Sequence, residues 1–245
     1  MKKGKLYVVG IGPGGRDEMT PRALNAIVAS DVIAGYPLYL KLLGELITGK
    51  KTITSGMGGE VERCRRAANT AADGYTVSLV SSGDAGVYGM AGIALQVVAA
   101  QNKELEVEVV PGITAASTAA ALLGAPLMHD FAVISLSDLL TPWSLIEKRL
   151  HLAAEGDFVI VLYNPRSRNR KQQLEKARAI ILKYRDDQTP TGIVRHGGRT
   201  GEEVSVTVLE KLLSSPVDMH STVIIGNSKS ITWQNRIITP RGYEL

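Results

Sequence analysis

The sequence predicts an α/β protein of two domains, the first on a mostly parallel sheet and the second on a mixed one. Three observations carry this. From residue 5 to about 110, short runs of β-branched and aliphatic residues alternate with helix-length stretches, the pattern of parallel strands joined by helical crossovers. Beyond about residue 190, strand-like runs follow one another with only turn residues between them, so antiparallel pairing enters. Between these regions, Gly124-Ala125-Pro126-Leu127-Met128-His129-Asp130 is dense in turn formers and places a hinge, giving domains 1–124 and 125–245. Ligands favour the cleft between two such halves, so the active site is expected there.

In chain order, Lys5–Val9 is a strand that ends in glycines. Thr20 and Pro21 then open a helix through Ala23, Leu24, Ile27 and Val28, with threonine as cap and proline at the first helical position. Asp31–Ala34 is a strand, Pro37–Leu43 a helix, Lys51–Thr54 a strand, and Gly59–Asp73 a helix that stops near Gly74. Tyr75–Ser81 is a strand, Gly89–Ala100 a helix, and Glu106–Val110 a strand. Val109–Met128 is long and uncharged, but it is mostly Ala, Thr, Ser and Gly and is broken by Pro111 and Pro126; it predicts a closely packed helix of small residues, not a membrane span. In the second half Phe131–Leu136 is a strand, Pro142–Ala153 a helix, Asp157–Tyr163 a strand and Ser167–Tyr184 a long helix. Thr191–Val194, Glu203–Thr207, Ser221–Ile225 and Arg236–Thr239 are short strands.

Composition narrows the function classes. With 245 residues, 44% apolar and 21% charged, the chain can bury a sizeable core, and neither disorder nor low complexity fits. One cysteine, Cys64, cannot form an internal disulfide. With four scattered histidines it builds no zinc site of usual spacing, so no metal is expected on the protein and a reducing cytoplasm is the natural compartment. The basic N-terminus is followed by too short an apolar run for an export signal. Twenty-eight Lys and Arg against 24 Asp and Glu leave +4, too mild a balance for a nucleic-acid footprint unless the cations cluster.

Gly10, Gly12 and Gly15 satisfy the G-x-G-x-x-G spacing after a strand, yet the chemistry of a dinucleotide site is poorly served. Pro13 sits inside the loop, the helix starts only at Thr20, and Asp31 precedes its strand where a ribose-binding acid should follow it. A tight turn needing positive φ explains the glycines equally well.

Three motifs in order answer the question differently: Gly10-Ile11-Gly12-Pro13-Gly14, Ser81-Ser82-Gly83-Asp84-Ala85-Gly86-Val87-Tyr88-Gly89-Met90, and Val110-Pro111-Gly112-Ile113-Thr114-Ala115. Together they resemble the tetrapyrrole methylase family of S-adenosylmethionine-dependent enzymes. His129-Asp130-Phe131, Ser135-Leu136-Ser137-Asp138-Leu139-Leu140-Thr141-Pro142-Trp143, Tyr163-Asn164-Pro165-Arg166-Ser167-Arg168 and Thr239-Pro240-Arg241-Gly242-Tyr243 are similar to the branch that methylates C17 of a cobalamin precursor and contracts its ring. The resemblance covers essentially the whole chain. Ala85 departs from the broad family, where many relatives carry proline after the Gly-Asp pair, and leaves that loop less constrained.

The resemblance implies a homodimer with S-adenosylmethionine between two domains, beside Gly12, Pro13, Ser82, Gly83, Asp84, Val87, Thr114, Ala115, Tyr163, Asn164 and Gly197. Read alone, Asp84 is equally a turn-stabilising carboxylate and Thr114 a helix cap. The substrate it implies is a tetrapyrrole rich in carboxylates, so cations are sought: Arg166, Arg168, Arg195 and Arg199 follow strands. Solvated helix faces are the plain reading of such charges. Ring contraction moves protons, and His129, Asp130 and His196 are the titratable candidates, although His129 serves as well to satisfy backbone at the hinge. The implied substrate is cobalt-factor III, with cobalt arriving only inside it, or metal-free precorrin-3B. A more distant alternative is a ribosomal RNA methyltransferase of the same family, although neither nucleic acid nor membrane is the expected partner.

Overall fold

β1 (Lys5–Gly10) is an interior strand of the first sheet, and its residues are divided between both faces. Leu6 and Val8 face one side and Val9 the other, all fully buried, as a parallel strand covered on both faces requires. α1 (Pro21–Ala29) starts where Thr20 accepts the Ala23 N–H at 3.1 Å with Pro21 at the first position, the start its sequence implies. β2 (Val32–Gly35), α2 (Pro37–Leu43), β3 (Lys51–Thr54), α3 (Glu60–Ala72), β4 (Thr76–Ser81), α4 (Ala91–Ala100) and β5 (Glu106–Val110) complete the layer. The five strands are all parallel, in the order β3-β2-β4-β1-β5. α1 and α2 cover the Val9 face through Ala23, Ile27 and Leu40; α3 and α4 cover the other through Ala67, Ala71 and Ala94.

The computed structural model describes residues 4–101, 104–167 and 170–244. They form two compact units, one ending at Ala115 and one starting at Ala116. α5 (Ala115–Leu123), the small-residue helix, presses Ala116, Ala119 and Leu123 onto Val159, Val161, Val194 and Ile224 of the second sheet. β6 (Gly124–Ala125), β7 (Phe131–Ser135), α6 (Trp143–Glu155), β8 (Val159–Tyr163), α7 (Gln173–Ile181), β9 (Pro190–Arg195), β10 (Glu203–Val208), β11 (Ser221–Ile225), β12 (Ile231–Trp233) and β13 (Arg236–Ile238) follow. The second sheet runs β10-β9-β11-β8-β7 and is mixed: only β7 and β8 pair in parallel. Its other face is closed by α6 and α7 through Ile146, Leu150, Leu174 and Ile181. A small third sheet joins the β12–β13 hairpin to β6.

β6 and β12 have no counterpart among the expected elements, and one expected helix is shortened. The long helix expected over 167–184 begins only at Gln173. Arg170 donates its N–H to Ser167 Oγ at 3.1 Å while the Ser167 N–H goes to the Arg170 carbonyl at 3.0 Å, a local turn that competes with helix.

Candidate functional site

In the first unit β4, β1 and β5 are neighbours, so the segments leaving their C-terminal ends lie side by side. β1 leads to α1 on one face and β4 to α4 on the other, the arrangement that opens a crevice at strand ends. Backbone atoms tie the segments together. Gly12 donates to the Gly83 carbonyl at 3.0 Å and Gly83 to the Gly12 carbonyl at 2.7 Å, an isolated antiparallel bridge. The Asp84 carboxylate then staples two loops: Oδ1 accepts the N–H groups of Gly86 (2.7 Å) and Val87 (3.1 Å), and Oδ2 accepts that of Gly112 (3.0 Å). The expected positions Gly12, Pro13, Ser82, Gly83, Asp84, Val87, Thr114 and Ala115 are therefore all brought to one end of one sheet. Pro13 is buried, Ser82, Thr114 and Ala115 half-buried, and Val87 exposed. Asp31 lies at the opposite edge, where its Oδ2 accepts the Thr76 N–H at 2.9 Å, so it cannot serve as a ribose acid.

Whether S-adenosylmethionine fits is tested by the glycines. Gly83 has φ +69°, and a methyl added there would stand 3.9 Å from both the Ala115 nitrogen and the Ile113 carbonyl oxygen. Glycine thus leaves a slot bounded by main-chain polar atoms, into which a ligand's own polar groups can reach. Ser81 Oγ, at the end of β4, is buried and meets no partner among the described residues. The residues fit the group.

In the second unit β8 and β9 both run antiparallel to β11, so their C-terminal ends share an edge with the end of β7. Tyr163 Oη accepts the Ala116 N–H at 2.7 Å at the start of α5. Asn164 takes the left-handed region at φ +52° and donates Nδ2 to Ser135 Oγ at 3.0 Å. Arg166 is half-buried, with Nε meeting no acceptor among the described residues; Arg168 lies outside them. Gly197 fits against Val194, Thr118 and Leu122, and a methyl added to it would stand only 3.0 Å from Val194 Cγ1. His196 is also left-handed at φ +50° and its ring stacks on His220 with centroids 5.0 Å apart. Burial pushes the His220 pKa down, as do His196, Arg199 and Arg195 nearby, and Asp218 opposes them.

Two groups of expected residues are not brought to this edge in usable form. Arg195 has its fork occupied: Nε and Nη2 reach Asp218 Oδ2 at 3.2 and 3.0 Å, and Nη1 reaches Glu203 at 2.6 Å. His129 and Asp130 stand at the start of β7, the opposite end of the sheet from Tyr163 and Arg195. There His129 Nδ1 accepts the Asp130 N–H at 2.8 Å. Arg199, whose N–H donates to the His196 carbonyl at 2.8 Å, remains on the shared edge. Sequence reasoning does not single out His220 or Asp218; the ring that stacks on His220 and the arginine that Asp218 holds both lie more than 20 residues away in sequence, and no motif links them.

Cys64 is buried and burial pushes its thiol up to about 11, which makes it inert at neutral pH. Among the described residues no His, Cys, Asp and Glu cluster could hold a metal, and no helix is long and apolar enough to cross a membrane.

Residues 5–213 match the family model of tetrapyrrole (corrin/porphyrin) methylases. The chain is 49% identical over 240 residues to the probable cobalt-factor III C(17)-methyltransferase of Salmonella typhimurium, covering 98% of this chain and 100% of that one. It is 48% identical over 246 residues to the cobalt-factor III methyltransferase of Priestia megaterium, covering 99% of this chain but 46% of that relative, so it spans about half of that protein's length. Among solved structures it superimposes on the methyltransferase CobJ with a TM-score of 0.92 at 34% identity, covering 97% of this chain and 100% of that one.

Proposed function

The chain belongs to the tetrapyrrole methylase family, and from that premise we propose that it methylates C17 of cobalt-factor III with ring contraction, using S-adenosylmethionine. The observation that carries this reading is the end-to-end match at 49% identity to the Salmonella protein, all of whose length is covered. The donor supplies a methyl group on a positively charged sulfur, open to in-line attack by carbon. What this chain contributes is position. The Gly83 slot with the Ile113 and Ala115 main chain would hold the donor, and the Asp84 staple keeps that slot open.

For the substrate's carboxylates we assign Arg166, whose Nε has no acceptor among the described residues, over Arg195, whose fork is already taken. For proton movement we assign His196, on the edge shared with Asn164, over His129 and Asp130 at the other end of the sheet. We further propose a homodimer working in the cytoplasm, with cobalt present only as part of the substrate.

Asp84→Ala removes a charged acceptor from three N–H groups and is expected to weaken S-adenosylmethionine binding about tenfold or more by calorimetry. Wild-type affinity in that variant would exclude the loop from the donor site. The activity itself is tested by anaerobic incubation with S-adenosylmethionine and cobalt-factor III, following product mass and the visible spectrum. Gain of one methyl with a changed chromophore supports the reading; silence with cobalt-factor III beside turnover of precorrin-3B replaces it with the metal-free reaction.

A further inference from the structure

The segment after β7 and the segment after β8 are clasped by side chains. Asn164 Nδ2 donates to Ser135 Oγ at 3.0 Å, Arg170 Nη1 to Ser137 Oγ at 3.1 Å, and Gln173 Nε2 to Asp138 Oδ2 at 2.9 Å. Three such bonds hold a loop in one shape at an entropic cost. What the loop then presents is two consecutive leucines in water: Leu139 is 80% and Leu140 91% exposed. Neither contributes burial to the fold, so stability of the chain gives no account of them.

Charge says what would cover them. Arg170 and exposed Lys171 stand on the facing segment, and Nε of Arg170 is buried without an acceptor among the described residues, like that of Arg166. The carboxylate of the loop itself, Asp138, is already bonded to Gln173. An occupant that is apolar on its faces and anionic at its rim matches an apolar tip backed by cations. A second copy of this chain would have to bring an acidic apolar surface instead.

Resting on the function proposed above, we propose that Leu139 and Leu140 are specificity-determining contacts that close on the apolar face of the tetrapyrrole while Arg170 takes one of its carboxylates. The clasp sets the position of the tip before substrate arrives, so little ordering is left to binding.

The test is the double variant Leu139→Ser/Leu140→Ser with Leu139→Met/Leu140→Met as its conservative partner. Absorbance titration with cobalt-factor III in the absence of donor reads binding, calorimetry reads S-adenosylmethionine, and light scattering reads oligomeric state. The serine variant is expected to bind cobalt-factor III about tenfold or more weakly, with donor affinity and oligomeric state unchanged, and the methionine variant to recover most of the loss. Equal tetrapyrrole affinity in wild type and serine variant overturns the contact while leaving the proposed function standing. Loss of a dimer in the serine variant overturns it in favour of an interface between copies. Wild-type protein that binds no tetrapyrrole overturns both readings together.

Discussion

Gly10→Ala is expected to destabilise the first unit by about 3 kcal/mol or more and to lower S-adenosylmethionine affinity at least about tenfold. A Cβ at the end of β1 would stand 2.7 Å from the Gly83 carbonyl oxygen and 2.8 Å from both the Ala85 and Gly112 nitrogens. All three obstacles are main chain, and they come from both flanking loops, so no side-chain rotation relieves them. Main chain must move, and the first casualties are the Gly12–Gly83 bridge and the Asp84 staple. Gly15→Ala is the control: nothing lies within 4 Å of its added Cβ and its φ is −80°, so its stability should stay within about 0.5 kcal/mol of wild type. Denaturant unfolding and calorimetry measure both variants. A Gly10→Ala protein equal to the control would mean that the three loops do not pack as described.

Arg185→Ala is expected to cost about 3–5 kcal/mol in the second unit. The Arg185 side chain is 4% exposed. It donates to the Ala154 carbonyl at 2.6 Å and the Phe158 carbonyl at 3.3 Å, and pairs with Asp157 at 3.1 Å. Removing it leaves those acceptors and a partly buried carboxylate without their cation. Burial by itself would raise the Asp157 pKa, but two hydrogen bonds from Ser228, with Arg185 and Lys229 nearby, carry it below the usual carboxylate range. A depressed pKa stabilises the fold above the unfolded value, near 3.9, and that stabilisation is lost as pH falls. The variant lacks part of it, so the gap to wild type should be widest above about pH 4 and narrow on acidification. Thermal melts across pH check this, and a gap that widened below pH 4 would exclude the pairing as its source.

Legibility in the sequence follows the range of the interactions. α2, β3, β5 and β11 coincide with the segments expected, and the Thr20–Pro21 start of α1 is seen as a real cap, because each is decided by its own residues. β6 is invisible locally: two residues become strand only because Ile237 and Ile238 pair with them from the far end of the chain. The start of α7 departs from expectation because Ser167 bonds its own turn, a competition that helical periodicity does not register. At the site, the glycine motifs announce the loops of the first unit, whereas no local pattern reveals that Asp218 and Glu203 occupy Arg195. His129 and His196 are indistinguishable as titratable groups until the strand register places them at opposite ends of one sheet.

The strand order of the first sheet also governs when its glycine loop can exist during synthesis. β1 pairs only with β4 and β5, beginning with Lys5 against Thr76 and against Glu106. A nascent chain that has emerged as far as Gly74 can pair β2 with β3 but has no neighbour for β1. Such long-range closure is slow compared with local helix formation. The loop at Gly10–Gly12 is translated before both of its partners, yet it waits for Gly83 to bridge it and for Gly112 to be stapled to Asp84 beside it. A stretch translated ahead of the strands that hold it is therefore among the last of its unit to acquire a fixed shape.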